Sequence, residues 1–165
     1  MKKILSTVAL TTLLSTAAMA GDFYGSAGAA MTTVSGYDSG VSVVGTVGMK
    51  LDNVLPNFAV EVEASQTVAD PSISNFDLSI LGIGAYAVYN FQMPNTQITI
   101  KPRLGLNYES FSWDHTGWGA VDYTDTSLSY GVGVSYPLSG GLTVYADFTD
   151  KGDSNNIGAG VGMAF

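Results

Sequence analysis

Apolar residues alternate with small or polar residues along most of the chain, and the last ten residues show this pattern most clearly. In an extended strand one face would carry Ile157, Ala159, Val161, Met163 and Phe165, and the other Gly158, Gly160, Gly162 and Ala164. A soluble sheet places polar side chains opposite its apolar face. A small membrane barrel instead turns its apolar face to lipid and needs small residues where its lumen is crowded. This stretch therefore predicts a membrane strand.

The same alternation recurs in earlier segments, which predicts eight strands in all. They cover residues 23–33, 41–51, 58–65, 76–91, 98–109, 128–136, 142–149 and 156–165. Most approach the ~9–11 residues of a tilted membrane strand. No apolar run reaches the ~20 residues of a spanning helix, so a closed barrel is the remaining way to cross a bilayer. We predict an all-β, eight-stranded antiparallel up-and-down transmembrane β-barrel.

The segments between the strands agree with this count. An even number of strands places both termini in the periplasm and makes the connections alternate between the two sides. The predicted periplasmic turns are then 52–57, 92–96 and 137–141, and the predicted surface loops are 35–40, 67–75, 110–125 and 150–155. The longest irregular stretch falls outside, and aromatic residues fall at both ends of the strands, where a membrane interface favours them. A soluble sandwich or lipocalin-like barrel, with aromatics in its core, is the alternative.

The fourth segment, 76–91, does not keep one alternation. Phe76, Leu78 and Ile80 indicate one outward set, whereas Ile83, Ala85, Tyr89 and Phe91 indicate the opposite set. A β-bulge near 81–84 would switch the faces. A long strand whose upper end rises clear of the bilayer is the other interpretation, and the sequence does not distinguish them.

The first twenty residues have the order of a secretory signal peptide. Lys2 and Lys3 precede a mostly apolar run from Ile4 to Leu14, and the small-residue pattern 18–20 follows. We expect cleavage after Ala20, leaving one barrel domain over 21–165 that is exported through the periplasm. The formal charge of −8, less the two lysines, becomes −10. Such an acidic chain is a poor nucleic-acid binder, and without cysteine it has no disulfide or thiolate chemistry.

Charged residues on inward faces predict a network inside the barrel. Its members are Lys50, Glu61, Glu63, Asp77, Lys101, Arg103 and Asp147. A lumen tolerates charge that a lipid face does not, and an eight-stranded interior is about filled by side chains. The network therefore predicts a stiffening plug, with a narrow, slightly cation-favouring pore as the alternative. The bare inward faces of the first and last strands predict a narrow water-filled gap beside it.

The predicted loop 110–125 concentrates aromatic and acidic residues. The binding candidates are Trp113, Asp114, His115, Trp118, Asp122 and Tyr123, because exposed aromatics beside acids suit a host or other extracellular ligand. Packing of this loop on itself and on lipopolysaccharide is the plainer interpretation. Asp122 and Asp125 match no established calcium loop, so no metal site is predicted. His115 is the only histidine, and no rigid Ser and carboxylate accompany it, so we predict no catalytic residues and no cofactor.

The chain resembles the small outer-membrane β-barrel family, the opacity-protein and OmpA/OmpX-type barrels. The resemblance rests on the signal-like start, the opening Phe23-Tyr24-Gly25-Ser26-Ala27-Gly28 and the closing strand that ends at Phe165. It implies that outer-membrane assembly machinery reads Ile157, Ala159, Val161, Met163 and Phe165. The chain stops at the barrel, so we carry over no periplasmic OmpA-like domain and no peptidoglycan binding. We expect a monomer in the outer membrane of a Gram-negative bacterium, in contact with lipid and lipopolysaccharide. Its expected role is structural or adhesive, with a small porin-like channel as the alternative and a lipid A-modifying enzyme less favoured.

Overall fold

The computed structural model of the chain describes residues 23–52, 54–73, 76–115 and 118–165. The predicted signal peptide, 1–20, lies outside these residues. Eight long strands form the fold: β1 Phe23–Val34, β2 Gly40–Lys50, β3 Phe58–Ala69, β5 Phe76–Tyr89, β7 Thr99–His115, β8 Trp118–Pro137, β9 Leu142–Asp150 and β10 Ser154–Ala164. Two short strands, β4 Ser72–Ile73 and β6 Phe91–Gln92, and a 3-10 turn, Ser139–Gly141, complete the described elements. The described residues contain no helix that is long and apolar enough to cross a membrane.

The sheet closes on itself, so the predicted barrel is confirmed. Each long strand pairs antiparallel with its neighbours, and β5 pairs directly with β7. β10 pairs with β1 along its length, from Tyr24 opposite Ala164 to Met31 opposite Ile157, which joins the last strand to the first as predicted. Closure leaves no sheet edge within the barrel wall.

The outward face is apolar through the lower and middle parts of the barrel. Its exposed side chains include Val60, Val62, Ile83, Leu104, Leu106, Leu128, Val132, Val134, Ile157 and Val161. β-branched and aliphatic residues of this kind fit a pleated strand. Because the apolar side chains are turned away from the interior, the surface suits lipid rather than water.

The fourth long strand, β5, is continuous and has no bulge. Its pairing with β3 and with β7 runs without a register shift, so the bulge hypothesis is wrong and the long-strand interpretation is confirmed. Ile83 faces outward and is exposed, whereas Leu78 and Ile80 face inward and are buried. The apolar residues therefore change face without any change in strand geometry.

The change in polarity occurs at one height across three neighbouring strands. Going up the outer face, the paired residues on β5, β7 and β8 are Ile83, Tyr108 and Thr126, then Leu81, Ser110 and Thr124, then Ser79, Ser112 and Asp122. The apolar outer surface thus ends near Leu81. Above that level the outer face of these three strands is polar, as expected where a sheet leaves lipid for water.

The predicted surface loop 110–125 is wrong in most of its length. β7 continues to His115 and β8 starts at Trp118, with a single irregularity between Trp113 and His115. The predicted loop 150–155 is also shorter than expected, because β10 begins at Ser154. The sequence analysis did not recognise the upper parts of these strands, because there the outer face is polar and the inner face is apolar, the reverse of the pattern in the membrane.

Candidate functional site

An ionic layer crosses the middle of the lumen. The Glu63 carboxylate contacts two cations: its Oε1 lies 2.9 Å from Lys151 Nζ, and its Oε2 lies 2.7 Å from Arg103 Nη1. The other terminal nitrogen of Arg103 lies 3.1 Å from Asp147 Oδ2. Only 2% of Glu63 and 1% of the Lys151 side chain are exposed. Buried charges at such low exposure are kept only when they are paired and hydrogen-bonded.

The lower side of this layer is built around Glu61. Lys101 Nζ lies 2.7 Å from Glu61 Oε1, and the Tyr24 hydroxyl donates to the same oxygen at 2.6 Å. The Lys101 nitrogen also lies 5.0 Å from the centre of the Tyr24 ring, a distance that allows a cation–π interaction. Lys101 and Tyr24 thus share one carboxylate oxygen at the boundary of the ionic layer.

Five of the seven predicted network residues meet in the lumen, and two do not. Glu61, Glu63, Lys101, Arg103 and Asp147 form the ionic layer. Asp77 was wrongly predicted to face the lumen. It is exposed on the outward face of β5, which it shares with Ser79. A charge is tolerated there because the upper part of β5 lies above the lipid. Lys50 is exposed at the end of β2 and makes no ion pair with any described residue.

Two further buried charged residues lie in the lumen outside the predicted network, Lys151 and Glu109. Lys151, expected in a surface loop, lies in the turn between β9 and β10 and sends its ammonium group inward to Glu63 and to Ser65 Oγ, 3.1 Å away. Glu109 accepts a hydrogen bond from Ser154 at 2.8 Å. Burial by itself lowers the pKa of Lys151, but the nearby Glu63 carboxylate raises it above its ordinary value. The predicted inward residues contained more acids than bases, and this excess was the available signal that a further basic side chain lies in the lumen.

Tyrosine rings fill the middle of the space beside the bare faces of β1 and β10, so the predicted gap is closed at the level of Gly28 and Gly160. A methyl group added to Gly28 would lie 2.6 Å from the Tyr145 hydroxyl, and one added to Gly160 would lie 2.7 Å from it. Gly48 makes room for Tyr24 in the same way. The small residues of these faces allow large rings to pack across the lumen.

A cavity of about 360 Å³ lies below the ionic layer at the periplasmic end. Its upper wall includes Glu61 and Arg103, and its mouth includes Lys50, Asp52 and Gly141 at the strand ends and turns. Water can therefore enter the barrel from the periplasm as far as the ionic layer. The wall of the cavity also includes Ser26 of β1 and Gly162 of β10, so the predicted gap beside these strands is present at the periplasmic end.

An apolar layer closes the lumen above the charged groups. Leu78, Ile80 and Phe111 are buried together, and Val34, Tyr37 and Trp113 pack against them. The Trp113 indole Nε1 donates to the Tyr37 hydroxyl at 3.0 Å, which ties the turn after β1 to β7. The part of the barrel above the lipid thus has a core of the kind found in soluble sheets.

The predicted binding residues lie on the β7–β8 hairpin rather than in a loop. Trp113 is partly buried in the apolar layer, while Tyr123 is 47% exposed and its ring centre lies 5.9 Å from that of Phe111. Asp122 accepts a hydrogen bond from Ser112 on the outer face, and Asp125 belongs to the inner face, so the two acids do not converge on one metal ion. The side chains of Asp114, His115 and Trp118 lie outside the described residues.

The family described as outer membrane protein beta-barrel domain matches residues 6–165. The chain belongs to this family. Its closed strand order and its outward apolar band agree with that assignment, and the protein is located in the bacterial outer membrane. The residues predicted as an assembly signal form part of the band, with Ile157, Val161 and Met163 exposed on β10.

Solved outer-membrane barrels share the fold. Neisserial surface protein A is 22% identical, with 88% of this chain and 98% of that chain covered and a TM-score of 0.66. Ail, the attachment invasion locus protein of Yersinia pestis, is 19% identical in its complex with the heparin analogue sucrose octasulfate, with 89% and 100% covered and a TM-score of 0.63. The N-terminal barrel of Pseudomonas aeruginosa OprF is 14% identical, with 87% and 98% covered and a TM-score of 0.64. At these identities the likeness concerns the fold alone. No curated protein matches the sequence.

Proposed function

We propose that the protein is a non-conducting surface protein with a structural or interactive role. The observation that carries this proposal is the sheet above the lipid, whose buried apolar layer of Leu78, Ile80 and Phe111 gives it a folded core. A barrel that only filled the membrane would not need an apolar interior at that height. The barrel would serve as an anchor that holds the β7–β8 hairpin away from the cell.

Charge complementarity limits the ligands that this surface would accept. The Ail structure with a heparin analogue concerns a sulfated polyanion. In the present chain the upper turns and strand ends carry Asp38, Asp70, Asp77, Asp122, Asp125, Asp150 and Asp153, and the lysine among them, Lys151, is buried. Such a surface repels polyanions and favours cationic or neutral partners.

Shortening the hairpin tests the interactive role. We would join Phe111 to Tyr123 through Asn-Gly, a sequence that favours two-residue hairpin turns, which removes residues 112–122 and keeps the paired Phe111 and Tyr123. The shortened protein should still fold, as judged by heat-modifiable gel migration. Cells that display it should lose adherence to epithelial monolayers and matrix-coated surfaces. Full adherence by the shortened protein would contradict the interactive role.

A narrow channel is the second candidate, and the periplasmic cavity supports it because water can already enter that end of the lumen. The ionic and apolar layers argue against a channel, because they close the lumen above the cavity. Reconstitution of the intact protein in planar bilayers decides the question, with no single-channel openings expected. Reproducible openings that favour cations would support the channel instead.

Other parts of this proposal concern export and partners. Residues 1–20 would be removed on export, the assembly machinery would read the closing strand, and the mature monomer would contact lipopolysaccharide. The proposed role requires no catalysis. An unchanged lipid A profile in cells that express or lack the protein is the result that this view expects.

A further inference from the structure

The upper half of β8 has a pairing partner on one side only. β7 pairs with β8 as far as Trp118, but β9 pairs with it only between Tyr130 and Pro137. Among the described residues, therefore, no strand pairs with residues 118–129 on the edge that faces away from β7. The lower part of this edge is partly covered, because Ser127 and Ser129 donate to the carbonyl oxygens of Lys151 and Asp150.

The uncovered part, residues 122–126, has the properties of a strand-addition site. The edge of a sheet exposes unpaired backbone N–H and C=O groups that another strand can use. Tyr123, Thr124 and Thr126 also favour extended structure. The three residues are exposed, so an incoming segment can reach this edge.

The acids on this edge define which segment it would accept. Asp122 lies on the outer face and Asp125 on the inner face, so each face of an added strand would meet one carboxylate. Opposite charges across a strand pair stabilise it, whereas like charges destabilise it. An added strand with basic residues three positions apart would place one beside each acid.

A second copy in the same membrane does not fit this edge. Both barrels would be inserted with the same orientation, so their β8 strands would run in the same direction and meet in parallel. An in-register parallel pair would place Asp122 beside Asp122 and Asp125 beside Asp125, which is unfavourable. The charges of the edge therefore favour a different, basic chain.

We propose that residues 122–126 of β8 bind an extended basic polypeptide segment by strand addition, with Lys or Arg side chains opposite Asp122 and Asp125. This inference rests on the proposed surface-interaction role and specifies its partner. Backbone hydrogen bonds would supply the affinity, and the two acids would select the sequence.

A defined peptide tests the proposal with the full chain in nanodiscs. The probe is fluorescein-labelled Thr-Val-Lys-Thr-Tyr-Arg-Val-Thr, and binding is measured by fluorescence anisotropy. A matched peptide has Glu in place of both bases. Two further peptides carry N-methyl groups on alternate amides, one at the odd positions and the other at the even positions. Because alternate N–H groups point to opposite edges of a strand, each peptide loses its hydrogen-bond donors on a different edge.

We expect the basic peptide to bind about fivefold more tightly than the Glu peptide, given the usual strength of cross-strand charge pairs. One N-methylated peptide should lose binding and the other should keep it, since only one edge of the added strand would face β8. In the double variant Asp122→Lys with Asp125→Lys the preference should reverse. The variant Asp38→Lys changes an exposed acid elsewhere on the surface and should leave the preference intact.

Equal binding of both N-methylated peptides would reject strand addition in favour of general charge attraction. An unchanged preference in the double variant, or no binding of the basic peptide, would also overturn the proposal. If any of these three results came with loss of adherence on hairpin shortening, the surface-interaction role would still stand. The two proposals therefore fail separately.

Discussion

Glu63 is the residue on which the closed lumen depends most. Each of its carboxylate oxygens has its own cation, Lys151 on one side and Arg103 on the other. Removal of charge from water is costly, and the mutual attraction of buried ions offsets that cost only when all partners are present. Loss of one of these three groups should therefore leave the other two less well compensated and lower the stability of the barrel.

The variant Glu63→Gln should be strongly destabilised. It leaves the ammonium group of Lys151 and the guanidinium of Arg103 with less compensation, and breaking a buried ion pair in this way typically lowers the free energy of unfolding by about 3–5 kcal/mol. The urea midpoint, followed by heat-modifiable gel migration in bilayers, measures the change. Asp77→Asn is the control, because Asp77 is exposed on the outer face. Equal midpoints for the two variants would contradict a stabilising ionic layer.

At the scale of one element, β5 passes through two environments without a break. Its outward residues are apolar up to Leu81 and polar at Ser79, while its inward residues Leu78 and Ile80 are buried. Burial in lipid and burial in a protein core make opposite demands on the two faces of one strand. The alternation changes where the lipid ends.

Two arginine substitutions on the outward face of β5 locate that boundary. Ala85→Arg would put a charge near the middle of the lipid and should lower the free energy of unfolding by about 2–4 kcal/mol, the usual effect near the bilayer midplane. Ser79→Arg, six residues away on the same face, should change it by less than about 1 kcal/mol, as near an interface. Equilibrium unfolding in bilayers measures both. A similar loss for both variants would place Ser79 within the lipid and refute the boundary.

At the scale of the whole molecule, the barrel is open below and closed above. The cavity of about 360 Å³ reaches the ionic layer from the periplasmic end. The polar and apolar layers lie above it, with Ser65 and Glu109 among the buried polar residues and Leu78 and Phe111 among the apolar ones. The closed upper end agrees with a surface role. A channel would require the cavity to continue upward through both layers.

Introduced cysteines should react according to this division, and the chain has no cysteine of its own to interfere. Ser135→Cys lies in the wall of the cavity and should be labelled by a membrane-impermeant thiol reagent from the periplasmic side. Ser65→Cys lies above the ionic layer, buried beside Lys151, and should be protected from both sides. Mass spectrometry after timed labelling gives the two rates. Rapid labelling of Ser65→Cys from the cell surface would show that the upper end is open.

The sequence by itself determined the eight-stranded barrel, its closure through the last strand and most of the charged layer. These features follow from a local period of two residues and from the high cost of charge in lipid, both of which are legible along the chain. The tertiary structure alone decided that Lys151 folds inward and that Tyr145 packs beside Gly28 and Gly160. It also showed that residues 110–125 are mostly strand, with a free edge on β8. Those outcomes depend on which distant side chain occupies a space and on where the lipid ends, and neither is encoded in local alternation.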